Sequence, residues 1–169
     1  MTTLDRLVIE TKFAAEDDGS IEGIAWAWSP DRIGDEIAKG SFKGAKLPIP
    51  MLFGHDQNDP VGVWSEAVED SEGLRLKGSL LVNEVARARE VRALVKSGAV
   101  RGISIGFITR QAEPRKGGGR LIKSLEWLEA SLVAIPMHPG ARVTSAKSAI
   151  DAIRIAEAIN RTATALRSN

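Results

Sequence analysis

Val100-Arg101-Gly102-Ile103-Ser104-Ile105-Gly106-Phe107 reads as a β-strand with two unlike faces. Ile103 and Ile105 fall on one face, while Gly102, Ser104 and Gly106 fall on the other, because successive strand residues alternate. A serine between two glycines has open space around its hydroxyl, and another backbone can come close to it. The serine does not lie on a Gly-x-Ser-x-Gly elbow between a strand and a helix, so an α/β-hydrolase is not indicated. The other reading of Ser104 is a small polar residue in a tightly packed strand, bonded to a neighbouring carbonyl.

Working outward, residues 7–13, 21–28, 61–68, 74–82 and 121–135 also read as strands. The alternation Leu74-Arg75-Leu76-Lys77 marks a half-buried antiparallel strand. Residues 29–46 are rich in glycine and charge and read as a long ordered loop. Leu47-Pro48-Ile49-Pro50 stiffens the approach to Met51-Leu52-Phe53. Asn83 is placed as an N-cap, with Glu84 and Glu90 in the helix it opens. Val85, Ala88, Val91, Leu94 and Val95 form the apolar stripe of that helix, and Gly98 stops it. Residues 111–120 hold Pro114 and three successive glycines and read as a mobile hairpin loop. Pro136-Met137-His138-Pro139-Gly140 breaks the last long strand. Residues 145–167 show near-helical spacing in Ala146, Ile150, Ile153, Ala156, Ala163 and Leu166. The pattern predicts one mostly antiparallel β domain over residues 1–169, mainly β with two helices.

With 169 residues, 43% hydrophobic and 27% charged, the chain has the composition of an ordinary soluble protein. Lysine and arginine number 23 against 22 acids, a net charge of +1, which gives no field for nonspecific nucleic-acid or anionic-membrane binding. Cysteine is absent, which excludes disulfides, thiolate catalysis and cysteine-ligated zinc. No cofactor is expected. The first residues do not form a signal peptide, and no apolar run is long enough to span a membrane, so a cytosolic or assembly-internal protein is expected. Trp26, Trp28, Trp64 and Trp127 are assigned to core packing rather than to base stacking.

Met51-Leu52-Phe53-Gly54-His55-Asp56 places one of the two histidines at the end of a strand. A neutral imidazole there can take a proton from a serine hydroxyl. The alternative is a turn histidine capping a backbone carbonyl. A third group has to orient the ring, and Glu129, Glu126, Asp56 and His138 are candidates. Glu129 has apolar neighbours in Leu128-Glu129-Ala130-Ser131-Leu132-Val133, and a buried carboxylate needs a partner, which Arg101 could also supply. Glu126, close to Lys123, reads as solvated. Asp56 would have to fold back on its neighbour. His138, in a proline-glycine loop, reads as a surface residue. The histidine and acid spacings are a poor match to a metal site.

Taken in order, several segments resemble the prohead maturation proteases of tailed bacteriophages. They are Gly23-Ile24-Ala25 through Asp31, Gly34-Asp35, Lys39-Gly40-Ser41-Phe42, Met51 to Asp56, Pro60-Val61-Gly62, Glu72-Gly73-Leu74, Val100 to Phe107, and Leu128 to Pro136. The resemblance implies a serine protease similar to the herpesvirus assemblins: an antiparallel β-barrel surrounded by helices. It implies Ser104 as nucleophile, His55 as general base and Glu129 as the orienting acid. His138 is the less favoured alternative, because assemblins use a second histidine there. The oxyanion hole is expected from backbone N–H groups, with residues 132–135 and the loop around Arg101 as the places to look. The resemblance further implies a host-cytoplasmic protein inside the assembling prohead. Such a protein cuts the scaffold, or the scaffolding region of the major capsid protein, and commonly itself. Residues 145–169 are expected to dock on the body, mediate self-association, or lead into a self-cleavage region. A non-catalytic β-rich assembly module and a nucleic-acid-binding barrel are the competing classes.

Overall fold

A computed structural model of the protein describes residues 18–144. The strand expected at 7–13 and the helix expected at 145–167 lie outside the described residues. The elements are β1 (Ser20–Ala27), β2 (Glu36–Ile37), β3 (Ile49–Phe53), β4 (Asp56–Glu69), β5 (Gly73–Leu80), α1 (Ala86–Lys96), β6 (Gly102–Pro114), β7 (Arg120–Val133) and β8 (Arg142–Thr144). The protein is mainly β-sheet.

The strands form one sheet in the order β2-β7-β3-β4-β5-β1-β8, with β6 on β7 outside that run. β7 is the hub. β6 pairs with it antiparallel along nearly its whole length, β2 lies parallel to its start and β3 parallel to its end. Both parallel pairings join strands that are far apart in sequence, which a parallel connection requires, within a sheet that is otherwise antiparallel, as the mostly antiparallel expectation allows. The hydrogen-bonded order does not close into a barrel, and the described residues hold a single helix rather than a surrounding shell.

Trp64, Met51, Val61, Leu74, Leu76, Ile103, Ile122 and Leu132 are fully or almost fully buried and pack in one core. Trp26 and Trp127 are buried in the same cluster, and Trp28 packs against it. The indole N–H of Trp64 donates to the Ala130 carbonyl at 2.9 Å. α1 turns Ala88, Val91 and Val95 inward. It starts later than Asn83 suggests, because Glu84 and Val85 both donate their N–H groups to the Leu81 carbonyl and hold 82–84 as a turn. Val85 is the N-cap residue, without a side-chain cap, and Glu84 precedes the helix. Gly98, at φ 77°, ends it with its N–H on the Val95 carbonyl.

The hairpin between β6 and β7 is shorter than expected and is pinned. β6 runs to Pro114 and β7 begins at Arg120. Arg115 donates to the Gly34 carbonyl at 2.6 Å and to Glu36 at 2.5 Å. Asp35, 5% exposed, accepts the backbone N–H of Arg120 at 2.8 Å and its guanidinium at 2.6 Å. These contacts clamp the 29–46 loop against the sheet. The Arg120 guanidinium bonded to Asp35 holds its carboxyl below the usual aspartate value.

Asp35→Asn is expected to lower stability at neutral pH by about 1–3 kcal/mol, read from urea midpoints. The depressed folded value makes this contribution complete above the unfolded aspartate value of about 4, and it fades as pH falls through the folded value. The gap between the two proteins should therefore shrink in strong acid.

Candidate functional site

Phe53 pairs with Asp56, so Gly54 and His55 alone form the turn between β3 and β4. Both have positive φ, 64° and 63°, the geometry of the two-residue turn that matches strand twist. His55 therefore sits in the turn itself rather than at a strand end. A histidine in this left-handed region costs on the order of 1 kcal/mol relative to glycine. Two contacts to β7 hold the turn in place: the Gly54 N–H donates to the Leu132 carbonyl at 3.1 Å, and the His55 N–H to Ser131 Oγ at 3.0 Å.

The β6–β7 register sets the rest. Ser104 lies opposite Ser131 and Gly106 opposite Glu129. Residues two apart share a strand face, so the side chains of Ser104, Glu129 and Ser131 converge on one face, beneath the turn. The ladder then slips one residue at Leu128, between the Gly106 and Phe107 pairs, a bulge of the kind that re-aims side chains.

The space that the two glycines clear is occupied within the protein itself. A Cβ on Gly106 would stand 2.1 Å from Glu129 Oε1, and one on Gly102 would stand 2.6 Å from the Pro136 ring. The Glu129 carboxylate and Pro136 fill the places that the missing side chains leave.

His55 Nε2 lies 2.8 Å from Ser104 Oγ, and His55 Nδ1 lies 2.7 Å from Glu129 Oε1. Glu129 Oε2 accepts the Ser131 hydroxyl at 2.7 Å. Ser104 is 7% and Glu129 9% exposed, whereas the His55 side chain is 43% exposed. The hydrogen bond that His55 Nδ1 donates to Glu129 raises the His55 value above its ordinary 6.5, against the opposing effect of burial. A hydroxyl on an imidazole whose far nitrogen meets a carboxylate is the arrangement that activates a serine for attack.

The other candidates go elsewhere. Asp56 accepts the Asn58 N–H at 2.8 Å, and Glu126 pairs with Arg110 at the surface. Lys123 bonds Glu113. His138 is not a surface residue: at 2% exposure it packs edge-on against Trp26, its Nε2 donating to the Ser29 carbonyl at 2.8 Å. Its Nδ1 accepts the Gly140 N–H at 3.0 Å, so both ring nitrogens are engaged away from His55. Ser131 was not singled out from the sequence. Its signal in the sequence is a small polar residue between the apolar Ala130 and Leu132.

A narrow cleft beside Ser104 is lined by Trp26, Asp31, Phe107, Met137 and His138. A larger hollow between Phe42, Lys46, Arg110 and Trp127 includes none of Ser104, His55 and Glu129. Among the described residues no group of three or more His, Cys, Asp or Glu side chains could hold a metal ion.

Residues 8–155 match the family described as caudovirus prohead serine protease. A capsid polyprotein of Pseudomonas phage PAJU2 is 38% identical over 148 residues, which are 83% of this chain but only 22% of that protein. The prohead protease of Enterobacteria phage HK97 is 31% identical over 159 residues, 88% of this chain and 70% of that one. Among solved structures, KSHV protease in complex with a hexapeptide phosphonate inhibitor superposes with a TM-score of 0.52. That likeness covers 73% of this chain and 63% of the other at 14% identity, and it is one of fold: the sheet is herpesvirus-protease-like.

Gly106→Ala should leave the fold intact, because the atoms its Cβ meets are the movable end of Glu129. It should push the carboxylate off Nδ1, so the His55 ring, followed by NMR, should titrate closer to 6.5 than in the native protein. A wild-type titration in a folded variant would count against this reading of the glycine.

Proposed function

Since the chain belongs to the caudovirus prohead serine protease family, we propose that it is an endopeptidase with Ser104 as nucleophile, His55 as general base and Glu129 as the orienting acid. What supports this reading is the continuous run of contacts from Ser104 Oγ through His55 Nε2 and Nδ1 to Glu129 Oε1. Ser104 Oγ attacks the scissile carbonyl carbon as its proton passes to His55 Nε2. The tetrahedral adduct collapses as the imidazolium returns that proton to the leaving amine, and an acyl-enzyme remains. Water, deprotonated by His55, then releases the acid and regenerates the serine. Glu129 accepts the Nδ1–H throughout, fixes the tautomer and stabilises the imidazolium. The cleft beside Ser104 is the place for a substrate side chain next to the scissile bond.

The proposed substrate is the scaffold protein, or the scaffolding region of the major capsid protein, inside the assembling prohead in the host cytoplasm, with cleavage of the protease itself as a further event. In the PAJU2 relative, the stretch similar to this chain is part of a protein named a capsid polyprotein, which supports a capsid substrate. Self-association belongs to the same reading.

Ser104→Ala should abolish cleavage of co-expressed capsid or scaffold protein while the variant stays folded. Undiminished cleavage by that variant would sink the assignment. Glu129→Gln should lower turnover by roughly 10²–10⁴. Because the base acts when neutral, kcat/KM should rise with pH through a limb above 6.5, set by the raised His55 value. An acid limb at or below 6.5 would contradict the coupling. The same contact contributes to stability in the opposite sense, in full below the unfolded histidine value and fading as pH climbs through the folded one.

A further inference from the structure

We infer that Ser131 is a positioning residue that fixes the His55–Glu129 pair through a single hydroxyl, an inference that rests on the serine-protease reading above. The side chain is 0% exposed. Its Oγ donates to Glu129 Oε2 at 2.7 Å and accepts the backbone N–H of His55 at 3.0 Å. A hydroxyl has one proton to give and lone pairs with which to accept, so both bonds form at once and its donor is used up.

The consequence falls on both ends of one contact. Each oxygen of the Glu129 carboxylate is tied to a different donor, Oε1 to the His55 ring and Oε2 to Ser131. Rotation of the carboxylate would break both bonds. At the other end, the bond to the His55 N–H holds the left-handed turn residue over β7. Without the hydroxyl, the acid is free to rotate and the base is free to shift, while Ser104 on β6 is untouched. Ser131 thus acts on the reaction through His55 and Glu129.

Among the described residues the charge that faces the His55 ring is Glu129 of β7. Ser104 faces it from β6. Asp56, next in the chain, is turned to Asn58. Arg87 of α1 lies over the Phe53 ring and pairs with Asp59 and Glu90. A change in the His55 titration therefore reports on the Glu129 contact.

The chain has two histidines, so ring resonances can be followed by NMR without crowding. In Ser131→Ala the His55 midpoint should fall toward 6.5, because the bond His55 donates to Glu129 is the largest cause of its elevation. Labelling of Ser104 by a fluorophosphonate should slow roughly ten- to a hundredfold, with its acid limb displaced to lower pH. Ser131→Thr, which keeps the hydroxyl, should retain the native titration. Slowed labelling with an unmoved or raised His55 midpoint would overturn the inference, as would equal shifts in the alanine and threonine variants. If the alanine variant does not fold, Ser131→Cys, close in size and a weak donor, should show the same downward shift and is judged by the same outcomes. Ser104→Ala separates the two levels. Labelling that persists in it overturns the serine-protease reading, whereas its loss together with an unmoved His55 in Ser131→Ala overturns only the role of Ser131.

Discussion

Across one antiparallel ladder, Ser104 faces Ser131 and Gly106 faces Glu129. Everything at the site follows from that register. A slip of one residue would send Glu129 and Ser131 to the opposite face of β7 and put Ala130 and Leu132, both fully buried in the core, in their place. The register is well protected against such a slip. β7 is held on both edges, with β6 along one side and β2 and β3 along the other. Next to the bulge at Leu128, the Trp127 indole N–H serves the Glu129 carbonyl at 2.8 Å, and Trp64 serves that of Ala130 at 2.9 Å. Two buried indoles thus anchor the backbone on which the carboxylate stands.

His55 reaches this face from a different direction. A side chain on β3 would alternate between the core and the outside, and β3 lies on the far edge of β7 from β6. Mounting the histidine in the turn after β3 lets the ring cross above β7 and meet Ser104 on the other side. The geometry calls for positive φ at both turn residues. Glycine meets that requirement freely at the first, and at the second the strain of a histidine is offset by the bond from its N–H to Ser131. The turn between β6 and β7, by contrast, lies at the other end of that hairpin, and its arginines clamp the 29–46 loop without touching the site.

The strand pattern was readable in the sequence, whereas Ser104, His55 and Glu129 were only candidates by their neighbours and were set above the alternatives by the family resemblance of the ordered segments around them. What it left unread is nonlocal. His138 looked exposed in its Pro-Gly loop, yet the Ser29 carbonyl, 109 residues away, and the Trp26 ring enclose it. The glycine pattern around Ser104 showed that side chains were missing, and only the folded structure shows that Glu129, opposite Gly106, and Pro136, beyond the end of β7, occupy the space. Asn83 has good capping chemistry, but the Leu81 carbonyl captures the following N–H groups and delays the helix. The parallel pairing of β3 with β7, which brings the turn over the hub strand, depends on contacts between distant segments that no local period encodes.

Burial is divided unequally within the proposed catalytic set. Ser104 and Glu129 are nearly closed off from solvent, and the His55 ring is the open member. Burial of that ring disfavours the imidazolium, while the bond it donates to Glu129 favours it more strongly. A peptide lying over Ser104 would also cover the ring and withdraw water that solvates its charge. The cost of forming the imidazolium in the covered site then falls on Glu129, and the carboxylate meets it only if it is already aimed at Nδ1 before the substrate arrives. Its two oxygens, bonded to two different donors on one rigid strand face, supply that preorganisation. The fixed partners of the proposed base are therefore nearly closed off from solvent, and the group that would exchange protons with substrate and water lies at the surface.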